Sequence, residues 1–167
     1  RPFSGCLFFG LMLTQHGPKV IEYNCRFGDP ETQVVLPLLE TDLLEIMLAI
    51  EENRLAEVPV RFRGGSACCV ILASEGYPGK YQTGYEISLG DSARAENVFV
   101  YHAGTKLEQG RLVTSGGRVL GVTALGCDAS SARYAAYAAA GRVHFEHAFY
   151  RRDIGARAIA TAQQGEN

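Results

Sequence analysis

The chain has 167 residues, 47% hydrophobic and 20% charged, with a formal net charge of -2. That is enough for one sizeable core, or for a small domain beside part of another. The near-neutral balance gives no electrostatic reason to expect nucleic acid or a membrane surface as partner. No stretch is long and apolar enough to span a bilayer, and no secretory signal is read at the start.

Taken in order, Arg1-Pro2-Phe3-Ser4-Gly5 reads as the interior of a domain. Gly5 to Thr14 is short and continuously apolar, which predicts a buried strand. Gln15-His16-Gly17-Pro18 is a turn, and Lys19 to Cys25 returns as the second strand of a hairpin. Val20 to Gln33 reads V-I-E-Y-N-C-R-F-G-D-P-E-T-Q. Alternate residues of a strand share a face, so Glu22, Asn24 and Arg26 point one way. Ile21, Tyr23 and Cys25 point the other way, and that face is apolar enough to be buried.

A carboxylate and an amide oxygen in a row suit a hard divalent cation. Magnesium takes one or two protein oxygens together with substrate phosphates, and Arg26 is placed to grip an anion. An edge strand with one solvated face shows the same alternation, so both readings stand on spacing alone. Asp29-Pro30-Glu31 has a structural meaning too: an N-cap, a first helical position and an acidic first turn.

Pro37 must end or kink the short helix that follows. Thr41 is the expected cap of the next helix, with Asp42 and Glu45 in its first turn. Leu43, Met47 and Ile50, flanked by Leu44 and Ile46, form a stripe facing a core. That helix is expected to finish near Asn53 to Leu55.

Glu57 to Gly65, with Pro59 and the Gly64-Gly65 pair, is the expected boundary. Strands are predicted at Ser66 to Ala73, Tyr85 to Leu89, Asn97 to His102, Arg111 to Thr114 and Arg118 to Leu125. Asp128 caps a predicted helix running to about Gly141, kept slim by Ala132, Ala135, Ala136, Ala138, Ala139 and Ala140. The pattern is α+β, with room for two units. Cys6, Cys25, Cys68, Cys69 and Cys127 are odd in number, lie in apolar patterns and form no C-x-x-C pair. They read as free thiols in a reducing compartment, the cytoplasm. His144 and His147 are spaced to meet on one helical face, as solvated or capping residues.

The run E-Y-N-C-R-F-G-D-P-E-T-Q resembles the signature of the phosphoribosylamine–glycine ligases, also called glycinamide ribonucleotide synthetases. Further blocks follow in the family's order. They are G-Y-P-G-K-Y-Q-T-G at Gly76 to Gly84, H-A-G-T-K at His102 to Lys106, and S-G-G-R-V-L-G-V-T-A at Ser115 to Ala124. Y-R-R-D-I-G-A-R-A-I at Tyr150 to Ile159 completes the set. The resemblance spans nearly the whole chain but only the C-terminal part of that enzyme. It implies the end of an ATP-grasp domain over residues 1–58. A small, mostly antiparallel C-terminal domain with one long helix would follow over 59–167.

It also implies an ATP-dependent ligase of purine synthesis, joining glycine to 5-phosphoribosylamine through a glycyl phosphate. The cofactor would be Mg2+ (or Mn2+), with ATP as co-substrate. Glu22 and Asn24 match the family's metal ligands. Arg26 and Asp29 take catalytic places: Arg26 at a phosphate or the transition state, Asp29 as a loop-shaping cap or a contact to the glycine amine. Glu31 belongs to the same signature and is assigned to substrate binding. His102, Gly104, Thr105, Gly117 and Arg118 are expected at the phosphoribosyl group, although each also suits a turn. Arg151, Arg152 and Arg157 read as a solvated basic cluster.

The enzyme's N-terminal domains would be needed to complete the site, so the isolated chain is expected to be silent and monomeric. The polar stretch Gln163 to Asn167 reads as an end with no fused domain after it. The alternatives are another ATP-grasp carboxylate–amine ligase, or a non-enzymatic module whose behaviour would not depend on a divalent metal or on Glu22.

Overall fold

A computed structural model describes residues 2–165, so Arg1 and the Glu166-Asn167 end of the polar stretch lie outside the described residues. The chain divides into two compact units, Arg1–Arg63 and Gly64–Asn167. The class is α+β, and every pairing between strands is antiparallel.

In the first unit, β1 (Phe8–Thr14) and β2 (Gly17–Asn24) form a hairpin closed at Gln15-His16. The Thr14 hydroxyl donates to Gly17 O at 2.8 Å, and Gly17 takes φ +87°. The register slips between Gly10 and Leu11, so Ile21 sits at an irregularity while Glu22 faces Gly10 and Asn24 faces Phe8. The hairpin is not buried as its composition predicts. Leu11, Leu13, Ile21 and Tyr23 are 52%, 82%, 63% and 58% exposed. The physical reason is thickness: a two-stranded ribbon cannot cover its own faces, and the rest of this unit is short helices. Phe9 and Tyr23 lean on each other, edge to face at 5.1 Å.

Helix α1 (Thr32–Val35) is one turn and passes into a 3-10 turn, Leu36–Leu38, that contains Pro37. Its cap is Glu31, without a side-chain hydrogen bond, and not Asp29. The Asp29-Pro30 peptide is cis. Gly28 O instead accepts the Thr32 N–H at 3.0 Å and the Thr32 hydroxyl, which starts the helix later than the Asp-Pro-Glu pattern suggests.

Helix α2 (Leu43–Glu51) is likewise capped one residue later than expected. Asp42 Oδ1 accepts the Leu44 N–H at 2.8 Å, while Thr41 is drawn to the chain near Pro59. The Thr41 hydroxyl donates to Pro59 O at 3.0 Å and accepts the Arg61 N–H at 2.8 Å. Leu43, Ile46, Met47 and Ile50 line an apolar hollow of about 270 Å³ with Cys6 and Phe27. Met47 and Leu44 remain 50% and 62% exposed, so Ala49 is the only fully buried residue of this helix.

The second unit has a true core. Its sheet has the order β4-β7-β3-β8, where β3 is Ser66–Ser74, β4 Val98–His102, β7 Arg118–Gly126 and β8 Ala148–Phe149. Pairs Cys68–Ala124, Val70–Val122 and Leu72–Leu120 stand opposite each other and carry one buried face. Against them lies α3 (Ala129–Ala140), whose Ala132, Ala136, Ala139 and Ala140 are buried in the same cluster. Ala138 is exposed and Ala135 only partly covered, so the alanine run is a stripe and not a sleeve. Burial pushes the Cys68 thiol up from its ordinary pKa, which keeps it protonated and inert. Cys25 and Cys127 are exposed, contrary to the apolar pattern around them.

The Asp128 cap is formed as expected: its carboxylate accepts the Ser131 N–H at 2.7 Å and the Ser131 hydroxyl at 2.8 Å. These bonds hold Asp128 below the usual carboxylate range. On the outer side of α3, Arg133 donates to Ile154 O at 2.7 Å and to Arg152 O at 2.8 Å. Tyr137 donates to Arg151 O at 2.7 Å, so this helix carries the 151–154 segment. Helix α4 (Ala156–Gly165) follows, where no helix is predicted.

A second hairpin, β5 (Thr105–Glu108) with β6 (Arg111–Thr114), turns at Gln109-Gly110, both at positive φ. Tyr85 to Leu89 is not a continuous strand. It makes single bridges, first to β6 through Glu86 and Val113, then to His144 through Ser88. Changing partner halfway breaks the ladder. His144 and His147 share no helical face, because the chain there is a turn with His147 at φ +59°.

Candidate functional site

In the first unit, β2 delivers Glu22 and Asn24 at alternate positions, opposite Gly10 and Phe8. A Cβ on Gly10 would lie 2.9 Å from Glu22 Cγ, so the missing side chain gives the Glu22 stem its room. Glu22 is exposed and Asn24 partly covered, and among the described residues neither side chain has a hydrogen bond or ion pair. Two uncommitted oxygens fit the chemistry of a nucleotide-bound magnesium, which needs only one or two protein ligands. They do not make a closed structural metal site. Among the described residues no cluster of His, Cys, Asp and Glu could hold an ion alone.

Arg26 does not continue the strand's alternation. β2 ends at Asn24, and Arg26 sits in a bend with its guanidinium donating to Phe27 O at 2.7 Å. Asp29 accepts a hydrogen bond from Gln33 Nε2 at 3.0 Å, a contact that spacing did not suggest. The other atom of that amide, Gln33 Oε1, is buried without a partner among the described residues. Glu31 reaches back over buried Gly28, where a Cβ would meet its carboxylate. The signature is thus a folded loop, with Gln33 as its unrecognised brace.

In the second unit, the chain brings His102, Gly104, Thr105, Gly117 and Arg118 together. His102 Nδ1 lies 3.0 Å from Thr105 Oγ1. The Gly104 N–H donates to Arg118 O at 2.8 Å, and the Ser115 N–H donates to Gly104 O at 2.7 Å. A Cβ on Gly104 would fall 2.6 Å from both Arg118 O and Gly116 Cα, so two backbones cross there at a distance only glycine permits. The N–H groups of Gly104 and Ser115 serve the crossing itself, and the Thr105 N–H turns back to Ala103 O at 3.0 Å. With these N–H groups taken up, side chains are left to make any contact. Gly117 is buried under Tyr77, whose ring occupies the space of the missing Cβ.

Beside this crossing is a pocket of about 340 Å³ lined by Glu75, Lys80, Tyr81, Gln82, Tyr85 and His147. Of these only His147 was named from sequence, as a solvated or capping residue, although G-Y-P-G-K-Y-Q-T-G runs through it.

The comparisons with known proteins agree with this layout. Residues 67–157 match the family described as phosphoribosylglycinamide synthetase, C domain, and residues 1–32 match the ATP-grasp (A) domain of the same synthetase. The chain belongs to the phosphoribosylglycinamide synthetase family. A synthetase-family relative, the phosphoribosylamine–glycine ligase of Caldanaerobacter subterraneus, is 50% identical over 154 residues, 92% of this chain and 36% of the relative. The trifunctional purine biosynthetic protein adenosine-3 of Homo sapiens is 48% identical over 98% of this chain and 16% of its own length. The crystal structure of the Thermotoga maritima phosphoribosylamine–glycine ligase matches with a TM-score of 0.75 at 40% identity, over 89% of this chain and 36% of that one. The chain therefore spans little more than a third of the single-enzyme relatives named here.

Proposed function

We propose that this chain is the C-terminal portion of a phosphoribosylamine–glycine ligase of purine biosynthesis. The observation that carries this reading is 50% identity to such a ligase over 92% of the chain. The uncommitted oxygens of Glu22 and Asn24 support it. In this reading residues 1–58 close an ATP-grasp domain and 59–167 form the family's C-terminal domain. Upstream domains of the same enzyme would supply the remaining contacts to ATP, and the chain alone would be silent.

The chemistry follows from the poor electrophilicity of a carboxylate. A glycine carboxylate oxygen attacks the γ-phosphorus of ATP, ADP leaves, and glycyl phosphate forms. The amine of 5-phosphoribosylamine then attacks the acyl carbon, phosphate leaves, and the nitrogen loses a proton, giving glycinamide ribonucleotide. Magnesium, or manganese, would supply charge neutralisation on the triphosphate, with Glu22 and Asn24 as its protein ligands. Arg26 places a guanidinium near transferring phosphoryl oxygens. Asp29, braced by Gln33, shapes the loop toward the glycine amine, and Glu31 assists substrate binding from the same loop. His102, Thr105 and Arg118 contribute side chains toward the phosphoribosyl group, with Gly104 and Gly117 allowing the close crossing that gathers them. Five free thiols, two of them in β3, suit the reducing cytoplasm where we place the protein.

The test is a chimaera in which this chain replaces the matching region of the Caldanaerobacter ligase. Phosphate release should require ATP, glycine and 5-phosphoribosylamine together. Glu22→Gln should lower kcat roughly a hundredfold and raise the Mg2+ concentration for half-maximal rate. A folded chimaera with no such activity, or a Glu22→Gln variant with an unchanged metal requirement, would overturn the reading.

A further inference from the structure

We infer that the pocket between Lys80 and His147 is where the phosphorylated pentose of the amine substrate sits, with the Lys80 ammonium on its phosphate. This rests on the ligase reading above and adds a location that the resemblance did not assign.

The pocket is assembled from separate parts of the second unit. Glu75 follows β3, Lys80 to Tyr85 form the next loop, and His147 stands in the turn before β8. Its volume, about 340 Å³, lies at the small end of the range for ligand sites, about 300 to 1,000 Å³. The loop is closed tightly on itself. Gly76 takes φ +93°, and a Cβ there would lie 2.2 Å from Lys80 O, so only glycine lets the chain fold back and present Lys80. The Gly79 N–H donates to Gly76 O at 2.7 Å and completes the turn.

The opposite wall is fixed by a residue in an uncommon conformation. His147 has φ +59°, and its carbonyl accepts the Glu75 N–H at 2.9 Å. Its Nδ1 lies 3.1 Å from Glu75 Oε2, its Nε2 3.5 Å from Glu146 Oε1, and the Tyr85 ring meets it edge-on at 5.3 Å. A polar side chain pinned this way in a pocket wall is a functional signal more than a packing one.

The groups left over define the ligand. Among the described residues the Lys80 ammonium has no ion pair or hydrogen bond. Gln82 uses Oε1 to accept from the Tyr85 hydroxyl at 2.6 Å, which leaves its amide N–H groups free to donate. One free cation, amide donors and the Tyr81 hydroxyl suit a phosphate monoester. The Glu75–His147 pair suits the hydroxyl or amino groups of a sugar. A purely apolar ligand would leave all of these unpaired, and a polyanion would meet Glu75 and Glu146.

The pocket is also continuous with the crossing described above. The Ser74 N–H donates to Gly117 O at 2.8 Å, one residue before Glu75. The Tyr77 ring lies on Gly117 and meets the Tyr81 ring at 6.1 Å. Tyr77 and Tyr81 thus join the Gly117 turn to the pocket wall.

The experiment titrates the 167-residue chain with ribose 5-phosphate while its amide resonances are followed. Saturable shifts centred on residues 75–85 and 145–148 are expected, with smaller ones at the adjoining His102, Thr105 and Arg118. The folded Lys80→Ala variant should then bind at least about tenfold more weakly, and Lys80→Arg should recover part of the loss. Absence of saturable shifts, shifts centred on other residues, or undiminished binding by Lys80→Ala would each overturn the pocket. Failure of the ligase reading would show separately, as an inactive chimaera whose metal requirement ignores Glu22.

Discussion

The hairpin β1–β2 and the sheet around β7 are both antiparallel and both rich in apolar residues, yet one is bare and the other buried. In the sheet, Val70, Leu72, Leu120 and Val122 are fully covered because a helix closes one face. In the hairpin, Leu13 is 82% exposed and Ile21 63% exposed. Hydrophobicity selects which residues can be buried, but a second layer decides which ones are. The two carboxamide and carboxylate ligand candidates ride on the uncovered element, whereas the pocket is held by the covered one.

The sharpest way to break this contrast is a pair of truncations. Leu120→Ala should destabilise the protein by about 2 to 5 kcal/mol, because it leaves a cavity in a packed core. Leu13→Ala should change stability by less than about 0.5 kcal/mol, as a surface substitution does. Urea unfolding followed by circular dichroism measures both. Similar losses in the two variants would mean that the hairpin is covered in solution.

A smaller effect is expected at the backbone crossing. Gly104→Ala places a methyl group 2.6 Å from Arg118 O and Gly116 Cα, where neither neighbour is a flexible side-chain end. The cost should be about 1 to 3 kcal/mol, again read from urea midpoints. Gly17→Ala is a useful contrast, because its Cβ meets nothing within 4 Å and only the positive φ resists it.

The smallest effect separates the units by pH. Asp128 has a depressed folded-state pKa, so its capping contribution is fully present above the unfolded value of about 3.9. It is lost as pH falls through the lower folded-state value. Asp128→Asn should therefore melt below the wild type at neutral pH, and the gap should narrow below about pH 4. Thermal melts across that range measure it. A gap independent of pH would mean that the carboxylate's charge contributes nothing at the cap.

Much of this architecture was readable from side-chain pattern. The alanine stripe behind Asp128 marked α3, and apolar strand-forming runs between glycine-rich turns marked β3, β4, β6 and β7. The misreadings share a cause: each concerns which partner a flexible choice settles on. Asp29 and Thr41 are both good caps, but Gln33 takes one and the chain at Pro59 and Arg61 takes the other. Tyr85 to Leu89 has strand composition and changes partner midway. Helix α4 has no strong cap pattern, and β8 spans two residues, too few for a periodicity. At the candidate site, alternation indicated Glu22 and Asn24, but Arg26 lies past the strand end. The Lys80 pocket was hidden because Glu75 and His147, which form its wall, are 72 residues apart.

The alanine face of α3 has a consequence for motion. Alanine has no χ rotamers to lose when it is buried, so docking this helix freezes almost no freedom in its own buried side chains, and the ordering cost at the seam falls on the valines and leucines of the sheet. The helix side of this interface therefore has little internal entropy to trade. Adjustment on ligand binding must then come from the loops at 76–84 and 145–148, and methyl relaxation should find the α3 alanines still while those loops respond.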